Sequence, residues 1–262
     1  CGARRRCADR AQGEPMNMFK HVYQRLSSLP QDVGDMDVDR REFPWADQWP
    51  EITDVRVREA FANVSRAAFL PPDLRRWADR DAPLPLKMEQ TISQPFVVAL
   101  MTQALAPQTD DRILEIGTGS GFQTALLCAL TTPEDATPGA SVFSVERHGA
   151  LLADARQALT ENGYHPHLRL GDGAAGWPEE APFQGIIVTA APAYLPRPLW
   201  EQLAEGGRLV IPIGPAPDAQ TLWCVSKIAG ALHARSLGPV RFVPLISALL
   251  DDPAQRIDLA RG

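Results

Sequence analysis

Residues 112–124 read RILEIGTGSGFQT. An apolar run enters a stretch with glycine at every second position, and a second apolar run, FQTALLCAL, follows. A short buried strand, a glycine turn and a helix are the direct reading of that pattern. The turn then sits at the carboxyl end of a strand, where open α/β sheets bind their ligands. Glycine has no Cβ, so a ligand can lie directly against the main chain. Gly117, Gly119 and Gly121 have GxGxG spacing, not the GxGxxG of dinucleotide folds. That departure counts against a nicotinamide-dependent dehydrogenase.

The alternation continues on both sides of the turn. Upstream, Val98, Met101, Thr102 and Leu105 mark a helix that opens at Pro95. Further upstream, Val57, Ala60, Phe61 and Val64 recur at helical spacing, with Asp54 near the start. Downstream, SVFSV is a strand, and GALLADARQALTENG is a helix stopped by Gly163. HLRL, GIIVTA and GRLVIPIG supply three more strands, and LWCVSK, ALHARSL and PVRFVPLI read as antiparallel strands at one edge. Strands alternating with helices predict an α/β fold with a mostly parallel, doubly wound sheet. The expected division is a disordered tail and irregular arm over 1–51, one α/β domain over 52–250, and a C-terminal tail over 251–262.

Composition narrows the classes. The 262 residues are 45% hydrophobic with a net charge of −6. That acidity argues against binding nucleic acid through a broad basic face, and no apolar run is long enough to span a bilayer. Cys128 and Cys224 lie in apolar contexts that predict buried, reduced thiols; Cys1 and Cys7 lie in a basic stretch read as disordered. Neither the cysteines nor the five histidines have metal-site spacing. The expectation is a cytoplasmic monomer with no metal, no membrane and no nucleic-acid partner.

Two further positions carry chemistry. Glu146 falls at the tip of the strand after the glycine turn, where a carboxylate can accept both hydroxyls of a ribose. Asp172 falls between glycines after the next strand, where it can accept an adenine amine, although Asp-Gly is also a turn signal. Three such sites in chain order suit an adenosine ligand without a pyrophosphate.

TISQP, ILEIGTGSGFQTALL, VER, GDG, IIVTAAP, GGRLVIPIG and VRFVPL together closely resemble the protein-L-isoaspartate O-methyltransferases, over about residues 52–246. The resemblance implies a Rossmann-like methyltransferase fold, S-adenosylmethionine as cofactor, and the free α-carboxylate of L-isoaspartyl residues in peptides as acceptor. It implies that Glu115, Gly117, Thr118, Gly119 and Gly121 surround the methionine part and ribose. Glu146 would bind the ribose, and Asp172 with Gly173 the adenine. Ser93 would be the active-site serine. Gln94, Pro95, Thr189, Ala190 and Ala191 would flank the substrate carboxylate, and Val240, Phe242 and Pro244 would border the peptide cleft. Two departures stand out: Lys87-Met88-Glu89 replaces a glycine-rich segment, and Gln184 replaces the usual Asp before IIVTAA.

A carboxylate is already ionised at neutral pH, so no general base is needed and no catalytic triad is expected. The site must orient the acceptor and satisfy its charge. Ser93, just before a helix, can donate its hydroxyl beside the helix N–H groups; read without the resemblance, it is an N-cap. Two rival readings remain at this level: a relative that methylates another carboxylate, and a non-catalytic adenosine-binding module.

Overall fold

The computed structural model describes residues 49–259. The tail, most of the arm, Cys1 and Cys7 lie outside the described residues. The end of the arm is packed. Trp49 is buried with its ring edge-on to Phe61 and Phe96. Helix α1 (Val55–Asn63) starts where the Asp54 carboxylate accepts the N–H of Arg56 at 2.9 Å, a side-chain cap that offsets a free helix donor. Its predicted stripe of Val57, Ala60 and Phe61 is buried.

A two-stranded hairpin follows, β1 (Leu84–Pro85) and β2 (Thr91–Ile92). Helix α2 (Pro95–Leu105) then leads into β3 (Ile113–Ile116) and α3 (Phe122–Thr131). The alternation continues through β4 (Val142–Glu146), α4 (Gly149–Glu161), β5 (His167–Leu170) and β6 (Phe183–Val188). A short β7 (Leu195–Pro196) and α5 (Arg197–Gln202) precede the long strands β8 (Leu203–Ile213), β9 (Gln220–Ile228) and β10 (Ala231–Val240).

Seven strands form the main sheet in the order β10-β9-β8-β6-β3-β4-β5. β3 to β6 and β8 are parallel, and β9 and β10 are antiparallel. This is the mostly parallel, doubly wound sheet with an antiparallel edge that the sequence predicts. After β3 the chain winds out through β4 and β5, then returns to β6 on the other side of β3. The switch point beside β3 opens a crevice at the strands' carboxyl ends. Both faces are covered, which is why β3 is apolar at every position but Glu115 and buried throughout. Leu114 and Ile116 pack with Leu199 and Leu203, while Ile113 packs with Met101, Leu105 and Leu127 on the opposite face. Gln184 fills the position of the missing Asp by clamping strand starts: its side chain accepts the Arg112 N–H at 2.9 Å, and its own N–H donates to Arg112 O.

Two expectations change. PVRFVPLI does not continue the sheet as its own strand. β10 runs on to Val240, and residues 241–247 then cross the carboxyl ends of the strands. The turn is fixed by Gln220, whose side chain donates to Phe242 O and accepts the Phe242 N–H at 2.6 Å, burying Phe242 in the core. The segment is then held at Ala191, which donates to Val243 O and accepts from Leu245 N. The stretch after residue 250, read as a tail, is docked: β11 (Arg256–Ile257) pairs with β7, and Arg197 donates to Ala254 O. No helix among the described residues is long and apolar enough to cross a membrane.

Candidate active site

Two adjoining cavities occupy the crevice, sharing Thr91, Gly117, Gly119 and Thr189 in their walls. The first is lined by Glu146, His148, Leu151 and Gly173 on the sheet side and by Val243 to Ile246 above. The second is lined by Ser93, Thr118, Ser120, Phe122 and Gln123. The glycine loop is the partition between them.

The three glycines have three different physical reasons. A Cβ on Gly117 would lie 2.2 Å from Thr189 Oγ1, which itself donates to Ile116 O and Gly117 O and so ties the β6 end to the loop. A Cβ on Gly121 would press on Leu159 and Phe69, so this glycine serves packing. Gly119 has φ +55° and nothing within 4 Å of its would-be Cβ, so its open side belongs to the two cavities whose walls it shares. Its N–H donates to Glu146 Oε2 at 2.9 Å, while Glu146 Oε1 accepts from His148 N at 2.9 Å. Two main-chain donors thus hold the Glu146 carboxylate, 5% exposed, at the wall of the first cavity.

Several residues named from the sequence are placed elsewhere. Glu115 lines neither cavity. Side chains alternate along a strand, and position 115 points under α3, fully buried. Its Oε2 accepts from Thr124 at 2.5 Å and Ser144 at 2.6 Å, and Ser144 also shares a 2.7 Å hydrogen bond with Thr118. Glu115 therefore supports the loop from below. Its Oε1 has no partner. Burial pushes the carboxyl up to about 8, against the pull of the Ser144 and Thr124 hydroxyls.

A carboxyl raised in this way keeps its proton in the native state after the unfolded chain has released it. Its stabilising effect is full below the ordinary value of 4.5 and is lost as pH rises towards about 8. Between pH 6 and pH 7 the native protein is expected to lose about 1 kcal/mol from this group. Glu115→Gln should flatten that slope. Urea melts of both proteins at the two pH values check it, and equal slopes would remove Glu115 as the cause.

Asp172 also departs from expectation. Its Oδ1 accepts from Ala174 N at 3.0 Å and its Oδ2 from Ser247 Oγ at 2.6 Å. The carboxylate starts a 3-10 turn and ties down the crossing segment 243–247, while Gly173 beside it lines the first cavity. The Asx turn that Asp-Gly favours is formed, and Asp172 itself lines neither cavity.

Ser93 lines the second cavity, and its hydroxyl makes no hydrogen bond among the described residues. It is not an N-cap. Gln94 occupies that position, and the first helical N–H, of Phe96, donates to the Asp81 carboxylate at 2.9 Å. Asp81 also accepts from the Gln94 amide at 3.1 Å. The anion at this helix terminus is thus the chain's own, and Gln94 and Pro95 line neither cavity. Of the remaining candidates, Thr189, Ala190 and Pro244 line the first cavity. Ala191 and Phe242 are in the core, and Val240 ends the edge strand, pairing with Gln220.

Sequence reasoning missed Gln90 and Thr91, His148, and Leu245 with Ile246, all in the first cavity, and Gln123 in the second. Adjacency was the available signal for some: Gln90 and Thr91 directly precede Ile92-Ser93, and His148 follows Glu146 by two. The altered segment before them is a tight turn. Met88 and Glu89 have φ +58° and +57°, the left-handed region that glycine occupies freely and that costs other residues roughly 1–2 kcal/mol.

Comparison with known proteins places this geometry. Residues 48–249 match the model of the protein-L-isoaspartate(D-aspartate) O-methyltransferase family. The chain belongs to this family. A protein-L-isoaspartate O-methyltransferase from Opitutus terrae is 50% identical over 195 residues, covering 74% of this chain and 80% of the relative. One from Anaeromyxobacter dehalogenans is also 50% identical, over 74% of this chain and 90% of its own length. A solved protein-L-isoaspartate O-methyltransferase superposes with TM-score 0.69 at 26% identity, over 80% of this chain and 67% of that one. A Plasmodium falciparum chain carrying the same family name, solved in complex with S-adenosyl-L-homocysteine, shares the fold with TM-score 0.67 at 23% identity, over 78% of this chain and 96% of that one.

Proposed function

We propose that the chain methylates the free α-carboxylate of L-isoaspartyl residues in damaged proteins and peptides, with S-adenosylmethionine as methyl donor. One observation carries the assignment of roles: Ser93 and Glu146 line adjoining cavities that share the walls of a single glycine loop. The first cavity fits an adenosine. Glu146 keeps acceptor capacity beyond its two main-chain donors, since each carboxylate oxygen can accept twice. Ile116, Val145, Leu151 and Leu245 supply apolar walls, and Gly119 leaves its side-chain space open.

When bound, S-adenosylmethionine would supply an electrophilic methyl group, with Glu146 and the Gly117–Gly119 loop holding it. The chain orients the acceptor and keeps water away, and well-oriented pairs can gain roughly 7–11 kcal/mol over free encounter. Ser93 donates its free hydroxyl to the acceptor carboxylate, which offsets part of the cost of removing that anion from water. The methyl ester then closes to a succinimide with loss of methanol, and hydrolysis returns part of it to normal aspartate. On this reading the protein is a monomer acting in the cytoplasm on protein substrates, and the net charge of −6 argues against binding nucleic acid through a broad basic face. The deciding experiment is methyl transfer to an isoAsp peptide beside its Asp twin. Base-labile methyl ester on the isoAsp peptide alone is expected; equal labelling of both would point to a broader carboxylate acceptor.

Glu146→Ala is expected to raise the KM for S-adenosylmethionine more than it lowers kcat. A ribose contact is nearly equal in ground and transition states, and a hydrogen bond to a charged group contributes about 1.5–3 kcal/mol. Calorimetry with S-adenosylhomocysteine checks it: unchanged affinity in a folded variant would take Glu146 out of the site.

A further inference from the structure

Between α1 and α2 the chain has little regular structure, yet it must deliver Ser93 to a defined place. Its anchor is Arg66, which lies in a 3-10 turn (Arg66–Phe69) and is 3% exposed. The guanidinium donates to four main-chain carbonyls. Nη1 reaches Ala78 O at 2.9 Å and Arg80 O at 3.0 Å; Nη2 reaches Ala82 O at 2.9 Å and Ser93 O at 3.0 Å. Asp81 and Asp79 favour its charge, but burial outweighs them and pulls its pKa down to about 10, so the group stays charged at neutral pH.

A buried guanidinium is costly, and its Nε here has no partner. An apolar side chain would fill the same volume without that cost. What arginine alone supplies is a rigid planar fork of donors; lysine is a point charge with three donors on a flexible stem. All four of these bonds go to the segment that ends at Ser93, and one goes to the Ser93 carbonyl itself. One residue further on, Asp81 grips Gln94 and Phe96. Ser93 therefore stands between two fixed points, with its hydroxyl left free in the cavity wall.

We propose that Arg66 is a positioning residue for methyl transfer, fixing the Ser93 hydroxyl in the second cavity through the Ser93 carbonyl and the Ala78–Ala82 loop. The proposal rests on the role given to Ser93 above.

The test is a double-mutant cycle of R66K and S93A, with R66Q as a second replacement. Folded molecules are counted by titration with S-adenosylhomocysteine. Three quantities are read for each protein: affinity for S-adenosylhomocysteine, affinity of its complex for an isoAsp peptide, and kcat/KM for that peptide. R66K is expected to keep cofactor affinity within about twofold and to lose about tenfold or more in both peptide affinity and kcat/KM; in the S93A background the same change should cost less than about twofold. Equal losses in both backgrounds would overturn the proposal, because Arg66 would then support the fold and not Ser93. So would wild-type values in R66K, a parallel loss of cofactor binding, or failure of both R66K and R66Q to fold. The S93A single variant separately reads the role of Ser93: if it keeps full turnover, that role falls irrespective of Arg66.

Discussion

Gly119→Val is expected to weaken S-adenosylhomocysteine binding by about a hundredfold to a thousandfold while the protein still folds. Two losses combine. The new side chain enters space that is empty in the protein and faces the cavities, and overfilling a packed site typically costs 1–3 kcal/mol. A β-branched residue also resists φ +55°, and any relaxation there pulls the Gly119 N–H off Glu146, a charged hydrogen bond of about 1.5–3 kcal/mol. The strain alone also lowers stability, so a control is needed. Gly163 has φ +79° with nothing within 4 Å of its would-be Cβ, and it ends α4 away from both cavities. Gly163→Val should lose similar stability and no affinity. Calorimetry on both variants settles the point. Normal affinity in Gly119→Val, or an equal loss in Gly163→Val, would mean that the loop serves the fold and not a ligand.

How far the site could be read in advance depended on how locally each residue is determined. Glu146 ends a strand next to the glycine turn, and strand tips in a parallel sheet converge on one crevice, so its place followed from order alone. Glu115 belongs to the motif on which the resemblance rests, but strand parity sets where its side chain goes. It sits between Leu114 and Ile116, which face α5, so alternation turns it towards α3. Asp81 had no local signal: it caps a helix that starts fourteen residues later, and only the irregular loop between them brings it there. The same holds for residues 241–247. As a string they look like a strand, but the Gln220 side chain, which fixes Phe242 from the start of β9, decides that they cross the site. The longer helices, the mostly parallel sheet with its antiparallel edge and the glycine turn were legible; caps and straps made by residues distant in sequence were not. Arg66 belongs to the second group, for its partners are main-chain carbonyls with no sequence signature at all.

Ser93→Ala bears on the chemistry most directly. The hydroxyl makes no hydrogen bond among the described residues, and the helix beside it is capped by Asp81. Removing it should therefore change stability by less than about 0.5 kcal/mol, as at sites with no partner to lose. Had Ser93 been the N-cap, about 1 kcal/mol would be lost. Cofactor affinity should stay at the wild-type value, because the proposed partner is the acceptor carboxylate. Methyl transfer is expected to fall by about tenfold to a few hundredfold, the range for one hydrogen bond to a charged group. The upper part of that range is favoured, since the Phe96 N–H already serves Asp81 and is not free to take over. Some turnover should persist, as orientation by the cavity walls is untouched. Turnover and melting are to be measured on one preparation, with an isoAsp peptide at saturation and well below it. A loss confined to the lower concentration would make Ser93 a binding contact only, and wild-type rates at both would sink the assignment.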